Sequence, residues 1–64
     1  MYVITYDGKP TRYDYEFDKF IQVESPNDIK WWYSLEIAQR FIEQNPRERH
    51  LKIVEVSFYT KSIY

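Results

Sequence analysis

Residues 11–18 carry the pattern that most limits the fold of this chain, a strict alternation of aromatic and charged side chains. Successive side chains of a strand point to opposite faces, so a period of two predicts a half-buried β-strand. Residues 2–6 have a similar β-favouring composition and predict a second strand. The alternating set is Tyr13, Tyr15 and Phe17 on one face, against Arg12, Asp14, Glu16 and Asp18 on the other.

The loop between these two strands spans residues 7–10 and contains the only glycine of the chain. A two-residue turn would place Thr5 opposite Pro10, and proline cannot donate a hydrogen bond to a sheet ladder. We therefore predict that all four residues form the loop, with Tyr6 opposite Thr11. This register also gathers the aromatic side chains of both strands on one face.

The alternation breaks at residues 19–20, where we predict a bulge before the strand continues to about Val23. Residues 25–28 predict a turn, with a single helical turn capped by Ser25 as the alternative. A short third strand is predicted next, at residues 29–33. Its alternating positions are Ile29, Trp31 and Tyr33 against Lys30 and Trp32.

A single stretch has helical periodicity, and it predicts a helix over residues 35–45. Ser34 suits the N-cap and Pro46 ends the helix. A last strand is predicted over residues 51–60, in the centre of the sheet because both of its faces are apolar. The order predicts a single α+β domain spanning residues 1–64, with an antiparallel sheet of three to four strands and one helix packed on one face. The apolar stripe of the helix is Leu35, Ala38, Phe41 and Ile42.

A chain of 64 residues without cysteine has no disulfide to stabilise it, so its core must come from the aromatic residues, which make up 20% of the sequence. Such a short chain buries only about 60% of its unfolded surface. One helix covers one face of the sheet and leaves the other face and both edges open. We therefore expect self-association as a C2 dimer.

The composition disfavours several classes of function. One glycine excludes phosphate-binding loops, and His50, the sole histidine, has no nucleophile or metal ligands at suitable spacing. We predict neither catalysis nor a cofactor. No apolar run reaches the roughly 18 residues of a membrane span, and the N-terminus lacks signal-peptide character, so a cytoplasmic location is expected.

Trp31 and Trp32 are adjacent, so strand parity predicts that they point to opposite faces. With Trp31 in the core, Trp32 either fills a second small core under the Pro26 loop or anchors an interface. The acidic positions form either a ridge that meets a basic surface or an ordinary solvated face. The predicted partner-binding residues are Tyr13, Asp14, Tyr15, Glu16, Asp18 and Trp32.

Residues 32–42, where an aromatic residue and Ser34 precede a helix start with Ala38 and Phe41 on its stripe, resemble short accessory proteins of phages and mobile elements in Gram-positive bacteria. Strand residues 53–56 extend the resemblance over the last half of the chain. It implies an N-terminal hairpin, a helix and a final strand. It also implies a role in inhibiting or redirecting host proteins, including bacterial defence systems.

The leading hypothesis is a non-catalytic binding protein, a phage-type inhibitor or modulator of a bacterial defence or DNA-processing protein. Its partner would be a host protein with a basic or mixed surface. The alternative is a small nucleic-acid-binding module that uses the aromatic residues and the basic stretch at residues 47–52. The net charge of −1 disfavours this alternative.

Overall fold

The structure, a computed structural model, describes residues 1–57. Four antiparallel strands form one sheet in the order β3-β2-β1-β4, and a single helix lies in the described part, as expected for a small α+β fold. In chain order the elements are β1 (Tyr2–Tyr6), β2 (Lys9–Asp14), β3 (Lys19–Gln22), a 3₁₀ turn (Pro26–Asp28), α1 (Leu35–Glu43), a second 3₁₀ turn (Glu48–His50) and β4 (Leu51–Glu55).

The turn between β1 and β2 has two residues, so the predicted four-residue loop is wrong. Asp7 and Gly8 both have positive φ, 50° and 85°, and Thr5 lies opposite Pro10. Hydrogen-bonded and non-hydrogen-bonded pairs alternate in an antiparallel ladder, and the Thr5–Pro10 pair is a non-hydrogen-bonded one. Pro10 therefore withholds no hydrogen bond from β1. Its carbonyl faces the other way and accepts from the Val23 N–H at 3.0 Å.

The predicted strand over residues 11–18 is correct only as far as Asp14. Residues 15–18 form a turn, and β3 begins at Lys19, where a bulge was predicted. The turn leads back, so Tyr13 pairs with Phe20 and both aromatic rings share a face. A hairpin therefore replaces the single long strand.

The predicted short strand at residues 29–33 reduces to one antiparallel bridge between Tyr2 and Trp32. Their backbones exchange two hydrogen bonds, at 2.7 and 2.8 Å, and the Lys30 N–H donates to the Thr11 carbonyl at 3.1 Å. Residues 30–32 thus lie between β1 and β2, which pair with each other only near their shared turn. The Thr11 hydroxyl is buried and donates to the Ile4 carbonyl at 2.6 Å.

Residues Pro26–Asp28 form a single 3₁₀ turn. The alternative prediction of a helical turn capped by Ser25 is therefore correct, and the preferred prediction of a non-helical turn is wrong. Ser25 is the N-cap of the 3₁₀ turn and accepts from the Asn27 N–H at 3.3 Å. The longer helix begins as predicted, because the Ser34 hydroxyl accepts from the Ile37 N–H at 3.3 Å. It ends at Glu43, two residues before the predicted end.

The helix packs on β1 and β4. Its buried side chains meet an aliphatic group from both strands and the ring of Trp32. The fully assembled core consists of Ile4, Trp32, Ala38, Ile42 and Leu51, with Tyr2, Tyr6, Tyr13, Phe20, Phe41 and Ile53 packed around it.

β4 lies at an edge of the described sheet, so its predicted central position is wrong. Leu51 and Ile53 face the helix, whereas Val54 on the opposite face is exposed. The apolar residue Val54 is therefore exposed to solvent, and β4 is not buried on both of its faces. The described strand ends at Glu55, and the predicted continuation over residues 58–60 lies outside the described residues.

Candidate partner-binding surface

The turn at residues 15–18 is fixed by a side chain at its start. The Asp14 carboxylate accepts hydrogen bonds from the Glu16 N–H at 3.0 Å and the Phe17 N–H at 3.3 Å. Such Asx contacts stabilise turns by satisfying backbone donors. At the end of the turn Asp18 has a φ of 51°, a left-handed conformation that aspartate tolerates better than most residues. We call residues 14–18 the turn patch.

Two aromatic rings in the turn patch face solvent. Tyr15 is 61% exposed and Phe17 is 66% exposed. Tyr15 still contacts the core edge-on, with its centroid 4.9 Å from that of Tyr13. Phe17 lies 5.6 Å from the ammonium of Lys19. An exposed pair of large aromatic side chains on a defined turn is typical of a binding surface.

The acidic residues do not form a ridge on one strand face, and that part of the hypothesis is wrong. Asp14 is half-buried and engaged in the turn, while Glu16 and Asp18 are exposed in the turn itself. The Tyr13 hydroxyl donates to Asp18 at 3.4 Å. The acids therefore surround the exposed aromatic rings. Their role in binding stays a prediction.

Behind the turn patch, aromatic rings cover the β2–β3 half of the sheet. Tyr13 is the centre of this aromatic cluster and meets Phe20 at 5.0 Å and Phe41 at 4.9 Å, both edge-on. Edge-on contacts match the positive ring edge of one residue to the negative face of another. Burial raises the pKa of Tyr13 above its ordinary 10.0, and the nearby charge of Asp18 and the hydrogen bond to it raise the pKa further.

Trp32 belongs to the core, and the prediction that it points away from it is wrong. Its side chain is only 4% exposed and lies 4.8 Å from Phe41, centroid to centroid. The Lys30 ammonium lies over the indole at 4.9 Å. Trp32 is bridged to Tyr2 and so shares the helix-facing side of the sheet. It presents no surface to a partner in this structure.

The indole Nε1 of Trp32 is buried and has no hydrogen-bond partner among the described residues. An unsatisfied buried donor costs free energy, on the order of 1–3 kcal/mol. Trp32 therefore stabilises the fold through the area of its ring, against the cost of this one polar atom.

A groove with a volume of about 640 Å³ borders the turn patch. One wall is β3, and the opposite wall is the segment that follows the helix, residues 44–47. Tyr6 and Phe20 line its floor, and the Arg47 guanidinium is held at the far wall by a 3.1 Å hydrogen bond to the Tyr6 hydroxyl. No local sequence pattern predicts this groove, because its two walls are distant from each other in the chain.

His50 is the last residue of the second 3₁₀ turn, immediately before β4. Its Nδ1 is 3.0 Å from an Asp7 carboxylate oxygen, and its ring stacks on Tyr6 at 5.6 Å. This contact joins the β1–β2 turn to β4.

Within residues 1–57, no group of three or more histidine, cysteine, aspartate or glutamate side chains could hold a metal ion. None of the helices in that range is long and apolar enough to cross a membrane.

Comparisons with known proteins give the chain no relative. No protein-family model matches it. Neither the curated proteins nor the solved structures contain a significant match.

Proposed function

We propose that this protein is a non-catalytic binding module that recognises another protein through the turn patch. The observation that carries the proposal is the exposure of Tyr15 and Phe17 on a turn that the Asp14 carboxylate holds in place. Exposed aromatic rings cost solubility unless a partner covers them. A fixed turn also reduces the entropy that binding would otherwise remove.

The chemistry of the turn patch favours a protein partner with a basic or mixed surface. Tyrosine is enriched among the residues that dominate interface energetics, and a ring with two rotatable bonds loses little entropy on binding. Glu16 and Asp18 would attract basic groups and speed association. The same carboxylates would repel nucleic-acid phosphates, which disfavours the nucleic-acid alternative.

A role as a phage-type inhibitor or modulator of a bacterial defence or DNA-processing protein is the more specific form of this proposal. It is supported by the resemblance of residues 32–42 and 53–56 alone, and it places the protein in the host cytoplasm. Self-association as a C2 dimer is a separate proposal, supported by the open outer edges of β3 and β4 in the described sheet. Sedimentation equilibrium showing only monomer at high micromolar concentration would contradict it.

The test of the binding proposal is a comparative pull-down from bacterial lysate with mass spectrometry. The bait proteins are the natural chain, the double variant Tyr15→Ser/Phe17→Ser, and Tyr33→Ser as the matched control. Tyr33 is 78% exposed and lies outside the turn patch. We expect a protein that the natural chain and the control capture and the double variant loses, with equal melting temperatures for all three.

Capture of the same proteins by all three baits would contradict the proposal. A nuclease treatment and a salt series complete the experiment. Binding that disappears with nuclease, or falls steeply with salt, would identify nucleic acid as the ligand and overturn the protein-binding proposal.

A further inference from the structure

The groove between β3 and residues 44–47 lies over the helix-facing side of the sheet. Phe20 and Tyr6 pack against the core on this side. The Gln22 amide reaches across β2 and donates to the Tyr6 carbonyl at 2.7 Å, so Tyr6 lies beside the last residue of β3. The volume of about 640 Å³ falls within the roughly 300–1,000 Å³ of ligand sites. The groove thus offers a largely aromatic floor that is already formed.

The two ends of this groove carry opposite charges. At the end next to the turn patch, the Asp18 carboxylate accepts a hydrogen bond from the Tyr13 hydroxyl at 3.4 Å. Tyr13 lies opposite Phe20, so this carboxylate is on the same side of the sheet as the floor. At the other end, the Arg47 guanidinium donates to the Tyr6 hydroxyl at 3.1 Å. A ligand in the groove therefore meets an acid at one end and a cation at the other.

Lys19 also lines the groove, but it does not cancel this polarity. It is adjacent to Phe20 in β3, and neighbouring side chains of a strand point to opposite faces. Its ammonium is therefore directed to the other side of the sheet. Asp18 directly precedes β3, and Arg47 lies near the end of that strand. Their separation is thus close to the length of β3, on the order of 10 Å at 3.3 Å per residue.

We propose that the groove binds an extended segment of the partner protein that carries a basic, an apolar and an acidic residue in succession. The basic side chain pairs with Asp18, and the acidic side chain pairs with Arg47. The apolar side chain lies between them, over Phe20 and Tyr6. In an extended chain the first, third and fifth residues share a face and span about 13 Å, enough to reach both ends.

This inference rests on the proposed protein-binding function and specifies the segment that the partner contributes. Phe17 and Asp18 belong both to the turn patch and to the lining of the groove, so the two surfaces are continuous. A segment that crosses the turn patch extends directly into the groove. The partner segment carries mixed charge, because a purely basic segment would place a like charge against Arg47.

A random dodecapeptide library displayed against the full-length chain supplies the probe. We expect enriched peptides to have a basic and an acidic residue four positions apart, with an apolar residue midway. Synthetic copies titrated into isotope-labelled protein should shift the amide signals of Phe20, Gln22 and Asn45. Enrichment without this charge pattern, or titrations that leave these three signals in place, would overturn the proposal. Shifts of the same signals on concentrating the protein alone would identify a second copy as the occupant and overturn it too.

Charge reversal tests the position of the acidic side chain. Arg47→Glu should weaken binding of an enriched peptide about tenfold, through loss of one ion pair and a new repulsion of similar size. The same variant should bind more tightly a peptide in which lysine replaces the acid, a gain that a misfolded variant could not show. Arg49→Glu is the matched control, because it changes the net charge equally and Arg49 does not line the groove. Equal effects of the two variants would exclude Arg47 as the contact.

Asp18→Asn tests the opposite end of the groove. Asparagine tolerates left-handed backbone as aspartate does, so the variant removes a charge without straining the turn. We expect binding of an enriched peptide to weaken about fivefold, as for the loss of one exposed ion pair. Binding of a peptide with glutamine in place of its basic residue should not change. An equal loss for both peptides would contradict the ion pair.

The lysate pull-down separates failure of the groove from failure of the binding function when Arg47→Glu is added as a bait. Loss of the captured protein by Tyr15→Ser/Phe17→Ser but not by Arg47→Glu would overturn the groove proposal and leave the binding function standing. Capture of the same proteins by every bait would contradict the binding function itself.

Discussion

The two halves of the sheet are covered in different ways. The β1–β4 half lies under the helix, whose Ala38 and Ile42 pack on Ile4 and Leu51. The β2–β3 half lies under aromatic rings that contact one another around Tyr13. An amphipathic helix packs its apolar stripe on the sheet and turns its polar face to water. A layer of aromatic rings has no such polar face. The buried core of the first half therefore lies under the helix, whereas the aromatic half ends in two exposed rings, Tyr15 and Phe17.

The difference separates the part of the chain that supplies most of the buried core from the part that carries the proposed binding surface. The helix-covered half contains most of the fully buried side chains among residues 1–57, although Leu35, Ile37 and Val54 are exposed there. The aromatic half holds its rings in place through edge-on contacts and leaves Tyr15 and Phe17 available.

Trp32 joins the two halves, because it contacts the helix-covered core and the aromatic cluster at once. We expect Trp32→Ala to destabilise the fold by about 3–5 kcal/mol, a large fraction of the stability of so small a domain. Trp32→Phe should cost clearly less, because it keeps an aromatic ring and removes the unsatisfied indole N–H. Urea denaturation measures both. A cost below about 1 kcal/mol for Trp32→Ala would place Trp32 outside the core.

Thr11 lies where β1 and β2 diverge, and its buried hydroxyl donates a hydrogen bond to the Ile4 carbonyl. Thr11→Val keeps the shape and leaves that carbonyl without this donor, at an expected cost of about 1–3 kcal/mol. Thr5→Val is the matched control, because the Thr5 hydroxyl makes only a 3.4 Å contact at an exposed position. Equal midpoints of urea unfolding for the two variants would show that the junction between the halves does not depend on this bond.

Gly8 tests whether the two-residue turn sets the register of the hairpin. A methyl group added at Gly8 would meet no atom within 4 Å, so any cost of Gly8→Ala comes from its φ of +85°. We expect a loss of about 1 kcal/mol by thermal or urea unfolding, with a smaller loss for Gly8→Asn, since asparagine tolerates left-handed backbone. Equal stability of Gly8→Ala and the natural chain would argue against this turn.

Tyr13 provides the smallest effect, which appears only in alkali. Its pKa is raised in the folded state, so the folded protein holds the phenol proton more tightly than the unfolded chain does. The associated stability is fully present below the unfolded pKa, about 10, and is lost as the pH rises through the folded pKa. Stability of the natural chain should therefore fall more steeply above pH 10 than that of Tyr13→Phe, measured by urea unfolding at several pH values. If the stability of the two proteins falls in parallel with pH, the Tyr13 hydroxyl is as well solvated in the folded protein as in the unfolded chain.

The elements that could be predicted from the sequence are those with local signals. Ser34 and the apolar stripe behind it define the helix start, and residues 2–6 form the predicted strand. The turn patch was predicted as part of a strand because the alternation of Tyr13, Tyr15 and Phe17 continues through the residues of the turn. The phase changes only after the turn, where even-numbered Phe20 shares a face with odd-numbered Tyr13.

The position of Trp32 could not be predicted, because parity within a strand does not say which face is inside. That depends on the strand opposite, and Trp32 is bridged to Tyr2, whose side chain faces the helix. The same limit applies to the groove, since β3 and residues 44–47 meet only in the folded chain. Trp32 is buried in this structure, and for the five other predicted partner-binding residues a role in binding stays a prediction.

The pairing of β1 with β4 has a consequence for the time course of folding. Tyr2 lies opposite Glu55, so β1 can pair with β4 only after residues 51–55 have left the ribosome. Closing so long a loop lowers the entropy of the chain before the stabilising contacts between the strands form. Folding rates therefore fall as contacts between distant residues become more numerous. The hairpin of β2 and β3 forms from neighbouring residues and has no such delay. On a nascent chain, the β2–β3 hairpin is thus expected to form before β1 pairs with β4.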